Sequence, residues 1–230
     1  MPRTDSEDPD SKVLSYGDVL LRKSDVDLLR GPFWLNDQII AFYYEYLLNE
    51  AHKLIQKVTL LLGGATTFFL AHAGSEDVQA MARSWQLPSR SLIIAAINDN
   101  PYVDEAGGSH WSLLAYTRQD HTFRHYNSSK GLNRDAARKG ADVLGRLLVQ
   151  EGKTPAYVEA KTPQQSNGND CGIYLLAITE MLCNERATGA LDILDMEQVL
   201  TELLTPAHIS RLRSRILKLI TDRIRAGNPV

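Results

Sequence analysis

The side chains best suited to covalent chemistry are two cysteines, Cys171 and Cys183, and six histidines. Cys171 opens an apolar stretch, Cys171 to Asn184, directly after the polar loop Ser166-Asn167-Gly168-Asn169-Asp170. If that stretch is a helix, Cys171 stands at its N-terminus, where unpaired N–H groups and partial positive charge favour a thiolate. The thiolate is the nucleophilic form of cysteine, and the same N–H groups can receive a developing oxyanion. Cys183, late on the same helix, reads as core filler. Helical rise separates the two cysteines by about 18 Å, far beyond the roughly 7 Å that a disulfide spans between Cα atoms. Two cysteines without clustered histidines make no structural zinc site either, and no metal or organic cofactor is expected.

A thiol nucleophile needs a base beside it, and an imidazole is the usual one. His52, His72, His121 and His208 fall on helices or a turn with no partner pattern and read as solvated or capping residues. His110 follows Gly107-Gly108 and opens a strand, which holds a side chain firmly at a sheet edge. The next strand of the hairpin returns Asn127 to its side, where the amide oxygen can accept a hydrogen bond from the imidazole Nδ1–H and fix the ring. His125, two residues earlier on the same face, is the weaker candidate.

These residues have to be held by a recognisable set of elements. Ser24 is placed to cap a short turn, Asp25 to Leu29, and Asn36 to cap a helix from Asp37 to about Ala51 with apolar residues at helical spacing. Helical stretches follow near Ala65–His72 and Ser75–Trp85. Leu92 to Ile97 is an unbroken apolar run and predicts a buried strand. His110–Thr117 and Thr122–Asn127 flank a turn and predict an antiparallel hairpin. Asn133 is expected to cap a helix to Gln150, and Ala156–Glu159 reads as a further strand. From Asp195 the chain reads as helical with a break at Pro206. The sum is an α+β fold: a small antiparallel or mixed sheet surrounded by helices.

Composition excludes several functions. The chain of 230 residues carries a net charge of −3, against the strong basic excess of a general nucleic-acid binder. The C-terminal arginines Arg211, Arg213, Arg215, Arg223 and Arg225 read as the solvated face of an amphipathic helix. No apolar run approaches the roughly 20 residues that span a bilayer. The N-terminus lacks an apolar signal segment, so a cytoplasmic or nuclear location is the default expectation. Residues 1–12 read as a disordered acidic tail and residues 13–230 as one domain, expected to act as a monomer.

Three blocks in order make the reading far more specific: Trp34-Leu35-Asn36-Asp37, Gly108-Ser109-His110-Trp111-Ser112-Leu113-Leu114, and Gln164-Gln165-Ser166-Asn167-Gly168-Asn169-Asp170-Cys171-Gly172. Together they resemble the sentrin/SUMO-specific (Ulp-type) cysteine proteases. Tyr16 to Leu29, Ala95-Ala96-Ile97-Asn98-Asp99-Asn100 and Leu203-Leu204-Thr205-Pro206-Ala207 resemble the deneddylase branch. The resemblance implies Cys171 as nucleophile, His110 as its base and Gln165 as an oxyanion-hole amide. It implies Trp34, Trp111 and Asp37 at the substrate, the two indoles roofing a slot too narrow for any Cβ and so selective for a Gly-Gly tail.

The implied partner is a ubiquitin-like modifier ending in Gly-Gly, the neddylation modifier first, with a SUMO or ubiquitin protease and a modifier-binding degenerate protease as alternatives. One departure stands out. The family has Asp seventeen residues after the histidine, where this chain has Asn127. An amide offers little charge to an imidazolium, so the sequence predicts a site about 10- to 100-fold slower than one with a carboxylate there.

Overall fold

The computed structural model describes residues 8–100, 107–189 and 196–227. Its centre is a five-stranded mixed sheet in the order β3 (Thr59–Leu62), β4 (Leu92–Asn98), β5 (Trp111–Thr117), β6 (Thr122–Tyr126) and β7 (Ala156–Ala160). The β4–β5–β6 pairings are antiparallel and both outer pairings, β3–β4 and β6–β7, are parallel.

The unbroken apolar run of β4 has a direct cause: the sheet is covered on both faces. Leu92, Ile94 and Ala96 point into one cluster with Leu113, Ala115 and Tyr126, while Ile93, Ala95 and Ile97 point into the other with Leu114, Tyr116 and Phe123. Helices α2 (Asp37–Tyr46), α6 (Cys171–Thr188) and α8 (Pro206–Arg225) cover the first face. The second is covered by α3 (Gly64–His72), α4 (Ser75–Ala82) and α5 (Arg134–Leu147). Each fully buried Leu or Ile contributes about 1.5–3 kcal/mol, so the interleaved strands fix both layers at once.

Several expectations are met at residue level. The Asn36 side chain accepts from Ile39 N–H at 3.2 Å and caps α2, which continues to Ala51 as a wider helical turn. Thr205 caps α8 through His208 N–H, with Pro206 in its first turn. Cys171 is the first residue of α6, and both cysteines are free and buried.

Other expectations are corrected. The N-terminal hairpin of β1 (Lys12–Tyr16) and β2 (Val19–Arg22) was not foreseen, nor was β3. Lys12 lies in β1, and Ser24 N–H bonds Pro9 O at 3.0 Å, so the end of the segment read as a tail is anchored; residues 1–7 lie outside the described residues, as does Asp195. Ser24 is inside helix α1 (Lys23–Asp27), and the carboxylate of Asp25 instead accepts the Arg22 N–H at 2.7 Å. Asn133 does not cap α5 with its side chain. It sits at φ 56° and sends its amide into the sheet, to Ile97 O, His110 O and Ser112 Oγ at 3.0–3.1 Å. Helix α5 ends at Leu147, and Gln150 pairs with Lys153 in an isolated bridge.

The C-terminal arginines are not simply a solvated face. Arg215 pairs with Glu180 and bonds Tyr43 OH at 3.1 Å. Arg223 pairs with Glu50 at 2.6 Å and lies over the rings of Tyr16 and Tyr46. An aromatic-rich N-terminal half gives these guanidinium groups flat partners, which a helix pattern alone does not reveal.

Candidate active site

The sheet register brings the candidate residues together. Leu113 pairs with Tyr126, so Asn127, just past β6, stands level with Ser112 and two residues from His110, just before β5. His110 Nε2 lies 2.7 Å from Asn127 Oδ1. The amide orientation is fixed independently: Ser129 N–H donates to the same Oδ1 at 2.9 Å, and Asn127 Nδ2 donates to Leu132 O at 2.6 Å. The oxygen therefore faces the ring, Nε2 must carry the proton, and Nδ1 is left as the basic nitrogen. The sequence reading had the two nitrogens reversed, because strand geometry gives proximity but not the ring's rotation.

His125 is excluded as an alternative. It is fully buried, with Nε2 2.9 Å from Ser112 Oγ and Nδ1 2.9 Å from Glu159 Oε2, so both nitrogens are committed.

Cys171 is brought to the same place by α6, whose first residues pack against the segment before α2. A Cβ on Gly172 would lie 3.0 Å from Leu35 Cβ. Burial pushes the Cys171 thiol up, and the N–H groups of Trp111, Gly172 and Cys171 itself draw it back down. Trp111 follows His110 directly, so the thiol lies beside the backbone that carries the imidazole. Asp170 adds a further upward push. Burial also holds His110 below the ordinary imidazole value, opposed by the hydrogen bond to Asn127 and by the charge of Asp99. Both directions favour a neutral thiol and a neutral imidazole at rest.

Gln165 is held by the loop that carries Asn127. Its N–H donates to Ser128 O at 2.8 Å, and Ser128 Oγ donates to its Oε1 at 2.7 Å. Gln164 continues the seam, with Nε2 donating to Asn127 O at 3.0 Å and Oε1 accepting from Lys130 N–H at 2.7 Å. The parallel β6–β7 pairing is thus extended beyond both strand ends. Gln165 Nε2 donates one hydrogen to Asn167 O at 2.7 Å, which leaves its second hydrogen for a ligand.

The two indoles differ in setting. Trp111 is 9% exposed, with Nε1–H donating to Leu35 O at 2.7 Å. Its ring lies against Gly64, where a Cβ would come within 2.6 Å of the ring edge. Trp34 is 49% exposed and donates its Nε1–H to Gly168 O in the loop before Cys171. Asp37 is the first residue of α2 and half-buried, its Cβ 3.6 Å from the position a Cβ on Gly64 would take. Among the described residues no group of three or more His, Cys, Asp or Glu side chains could hold a metal.

Arg213 corrects the sequence reading, which put it on a solvated helix face: its side chain is mostly buried beside the site. Its guanidinium donates to Leu28 O (2.9 Å), Gly31 O (3.3 Å), Phe33 O (3.1 Å), Asn169 O (3.4 Å) and the Asp170 carboxylate (2.8 Å). One side chain from α8 thus ties the segment bearing Trp34 to the loop that leads into Cys171. Arg213→Ala is expected to cost about 3 kcal/mol of stability, because it takes the paired cation from the mostly buried Asp170 carboxylate and the guanidinium donors from several carbonyls. Arg213→Lys is expected to recover only part of that, since a point charge cannot fork. Thermal melts of both variants check this; a wild-type Tm in Arg213→Ala would show that the guanidinium holds nothing.

Residues 33–227 match the model of the Ulp1 protease family, C-terminal catalytic domain. The chain is 38% identical to Sentrin-specific protease 8 of Homo sapiens over 213 residues, 92% of this chain and 97% of that one. It is 35% identical to NEDD8-specific protease 1 of Arabidopsis thaliana over 214 residues, 92% and 93% of the respective chains. Its fold is similar to that of the C-terminal Ulp1 protease domain solved in complex with Smt3, the yeast ortholog of SUMO, with a TM-score of 0.69 at 22% identity, covering 95% of this chain and 90% of that one.

Proposed function

The chain belongs to the Ulp1 protease family of cysteine peptidases, and on that footing we propose that it cleaves after the C-terminal Gly-Gly of a NEDD8-type modifier, from precursors and from lysine conjugates. Cys171 is the nucleophile and His110 Nδ1 its base. Attack on the terminal glycine carbonyl gives a tetrahedral oxyanion beside the first turn of α6 and the spare N–H of Gln165. The imidazolium then returns its proton to the departing amine, and water hydrolyses the thioester. Trp34 and Trp111 form the slot for the glycines, with Asp37 near its wall.

The observation that carries the chemistry is the commitment of His110 Nε2 to Asn127, which leaves Nδ1 free as a base near a thiol at a helix N-terminus. The choice of modifier is supported by the names of the relatives that match over nearly their full length. A panel of ubiquitin-like modifiers bearing a C-terminal electrophile tests both. NEDD8 is expected to form the covalent adduct at Cys171; an adduct with SUMO or ubiquitin alone would overturn the substrate, and binding without any adduct would favour a modifier-binding module.

A pH prediction follows from the direction of the His110 shift. The base works only when unprotonated, and burial holds it below the ordinary value of 6.5. The acid limb of kcat/KM is therefore expected to have its midpoint below pH 6.5. A midpoint above that value would mean that interactions favouring the imidazolium outweigh the effect of burial.

Position 127 yields a prediction that differs from the one the sequence suggests. Asn127→Ala is expected to lower kcat/KM about 10- to 100-fold, by freeing the imidazole ring. Asn127→Asp is expected to gain less than about tenfold, because its second oxygen would confront Leu132 O where Nδ2 now donates at 2.6 Å. Steady-state kinetics on one Gly-Gly-ended substrate separate these cases. A hundredfold gain in Asn127→Asp would show that the loop yields freely to a carboxylate.

A further inference from the structure

With an amide at position 127, any negative charge facing His110 has to come from elsewhere. Cys171 lies beside the His110 backbone at the start of α6, with Asp170 next to it, while His125 comes from β6 and Asp99 from the segment just past β4. Asp170 is ion-paired with Arg213 at 2.8 Å, which offsets its charge. His125 is buried and tied to Glu159, which in turn faces Arg134 at 3.7 Å. Asp99 differs from both. Among the described residues no lysine or arginine ion-pairs with it.

Its carboxylate is built into the loop that presents His110. Oδ1 accepts the N–H of Ser109 at 2.6 Å and that of His110 itself at 3.1 Å, while Oδ2 accepts the Ser109 hydroxyl at 2.5 Å. The other side of His110 is held too: Asn98 Nδ2 and Asn133 Nδ2 donate to its carbonyl at 3.2 and 3.1 Å. The approach is so close that only glycine fits at position 108, which sits at φ 96°, where a Cβ would fall 1.9 Å from Asn98 Oδ1. Three donors on one carboxylate also keep it ionised, since hydrogen bonds to the charged form favour that form.

We propose that Asp99 is the electrostatic positioning residue of this site: it fixes the main chain of His110 and supplies the negative charge that position 127 does not. It rests on the assignment of Cys171 and His110 given above. The carboxylate touches neither thiol nor substrate. It acts through the imidazole, whose cationic form, created when the thiol gives up its proton, it stabilises.

The test separates charge from scaffold. Asp99→Asn keeps an oxygen acceptor for the two N–H groups but removes the charge; Asp99→Ala removes both, and Asp99→Glu restores the charge. In a Cys171→Ala chain, where the coupled thiol is gone, the His110 imidazole titration can be followed by NMR without any substrate. Asp99→Asn is expected to move its midpoint toward acid by about one pH unit, and Asp99→Glu to bring it back. In the chain with Cys171 intact, Asp99→Asn is expected to lower kcat/KM about tenfold and to move the acid limb the same way.

An unmoved titration overturns the proposal, even if kcat/KM falls, because a sagging loop would explain that fall. Wild-type kcat/KM in Asp99→Asn overturns it as well. Failure of the wild-type chain to cleave any Gly-Gly-ended modifier would instead sink the functional reading, and the titration would still report on Asp99.

Discussion

Cys171→Ala is expected to lower the rate of modifier cleavage by about 10⁴-fold or more, while leaving the Kd for the modifier within about threefold. The reason for the split is where the side chain sits. Cys171 is 1% exposed at the first turn of α6, so removing one sulfur changes little of the surface a folded partner would meet. Nothing nearby can replace it. Cys183 lies twelve positions further along the same helix, fully buried, with burial pushing its thiol up to about 12. A thiol held that high stays protonated, and so poorly nucleophilic, near neutral pH.

Cys183→Ala is therefore the internal control. It should cost about 1 kcal/mol through the small cavity it leaves and should cleave at the wild-type rate. Rates measured alongside a binding isotherm decide the matter. Loss of cleavage in Cys183→Ala with retention in Cys171→Ala would reverse the assignment, and weakened binding in Cys171→Ala would mean that the thiol is part of the recognition surface.

How much of this was legible beforehand depends on how far apart the cooperating residues lie. The β4 run, the β5–β6 hairpin, the Asn36 cap and the start of α6 all rest on patterns within a few residues, and each was readable. The small N-terminal hairpin had local signals as well, since Gly17 turns at φ 56° between short alternating strands, but those strands of four and five residues were too brief to stand out. β3 is a four-residue edge strand whose parallel partner lies about thirty positions on, and parallel pairing leaves no hairpin turn to read.

Within the site, the pairing of His110 with Asn127 followed from counting along a hairpin, but the nitrogen involved depended on Ser129 and Leu132 fixing the amide. Asp99 lies in the block Ala95 to Asn100 with no local signal of a role, because its hold on the N–H groups of Ser109 and His110 spans ten and eleven positions of the chain. Arg213 contacts carbonyls up to 185 positions away, a relation no periodicity encodes.

A modifier ending in Gly-Ala or Ala-Gly is expected to be cleaved about 100-fold more slowly than its Gly-Gly counterpart. The size of the effect depends on whether the proposed slot can widen, and its two walls differ in that respect. Trp34 is half exposed and held by one hydrogen bond to Gly168 O, so it could swing outward. Trp111 cannot. Its indole N–H is fixed to Leu35 O, its ring edge abuts Gly64, and Leu35 in turn is wedged against Gly172. A methyl group on the substrate would have to displace Trp34 or distort this packed wall, and interiors yield little to an added methyl.

The wall can be tested from the protein side as well. A Cβ at position 64 would lie 2.6 Å from Trp111 Cη2, so Gly64→Ala forces the indole edge out of its present position. Gly64→Ala should therefore lower kcat/KM on the Gly-Gly substrate, whereas Trp34→Ala should relax the discrimination against alanine by opening the mobile side. Kinetics with three modifier termini on three proteins give the answer. Equal turnover of Gly-Ala and Gly-Gly ends by the wild-type chain would remove the slot from the mechanism, and unchanged selectivity in Trp34→Ala would show that Trp34 is not its movable wall.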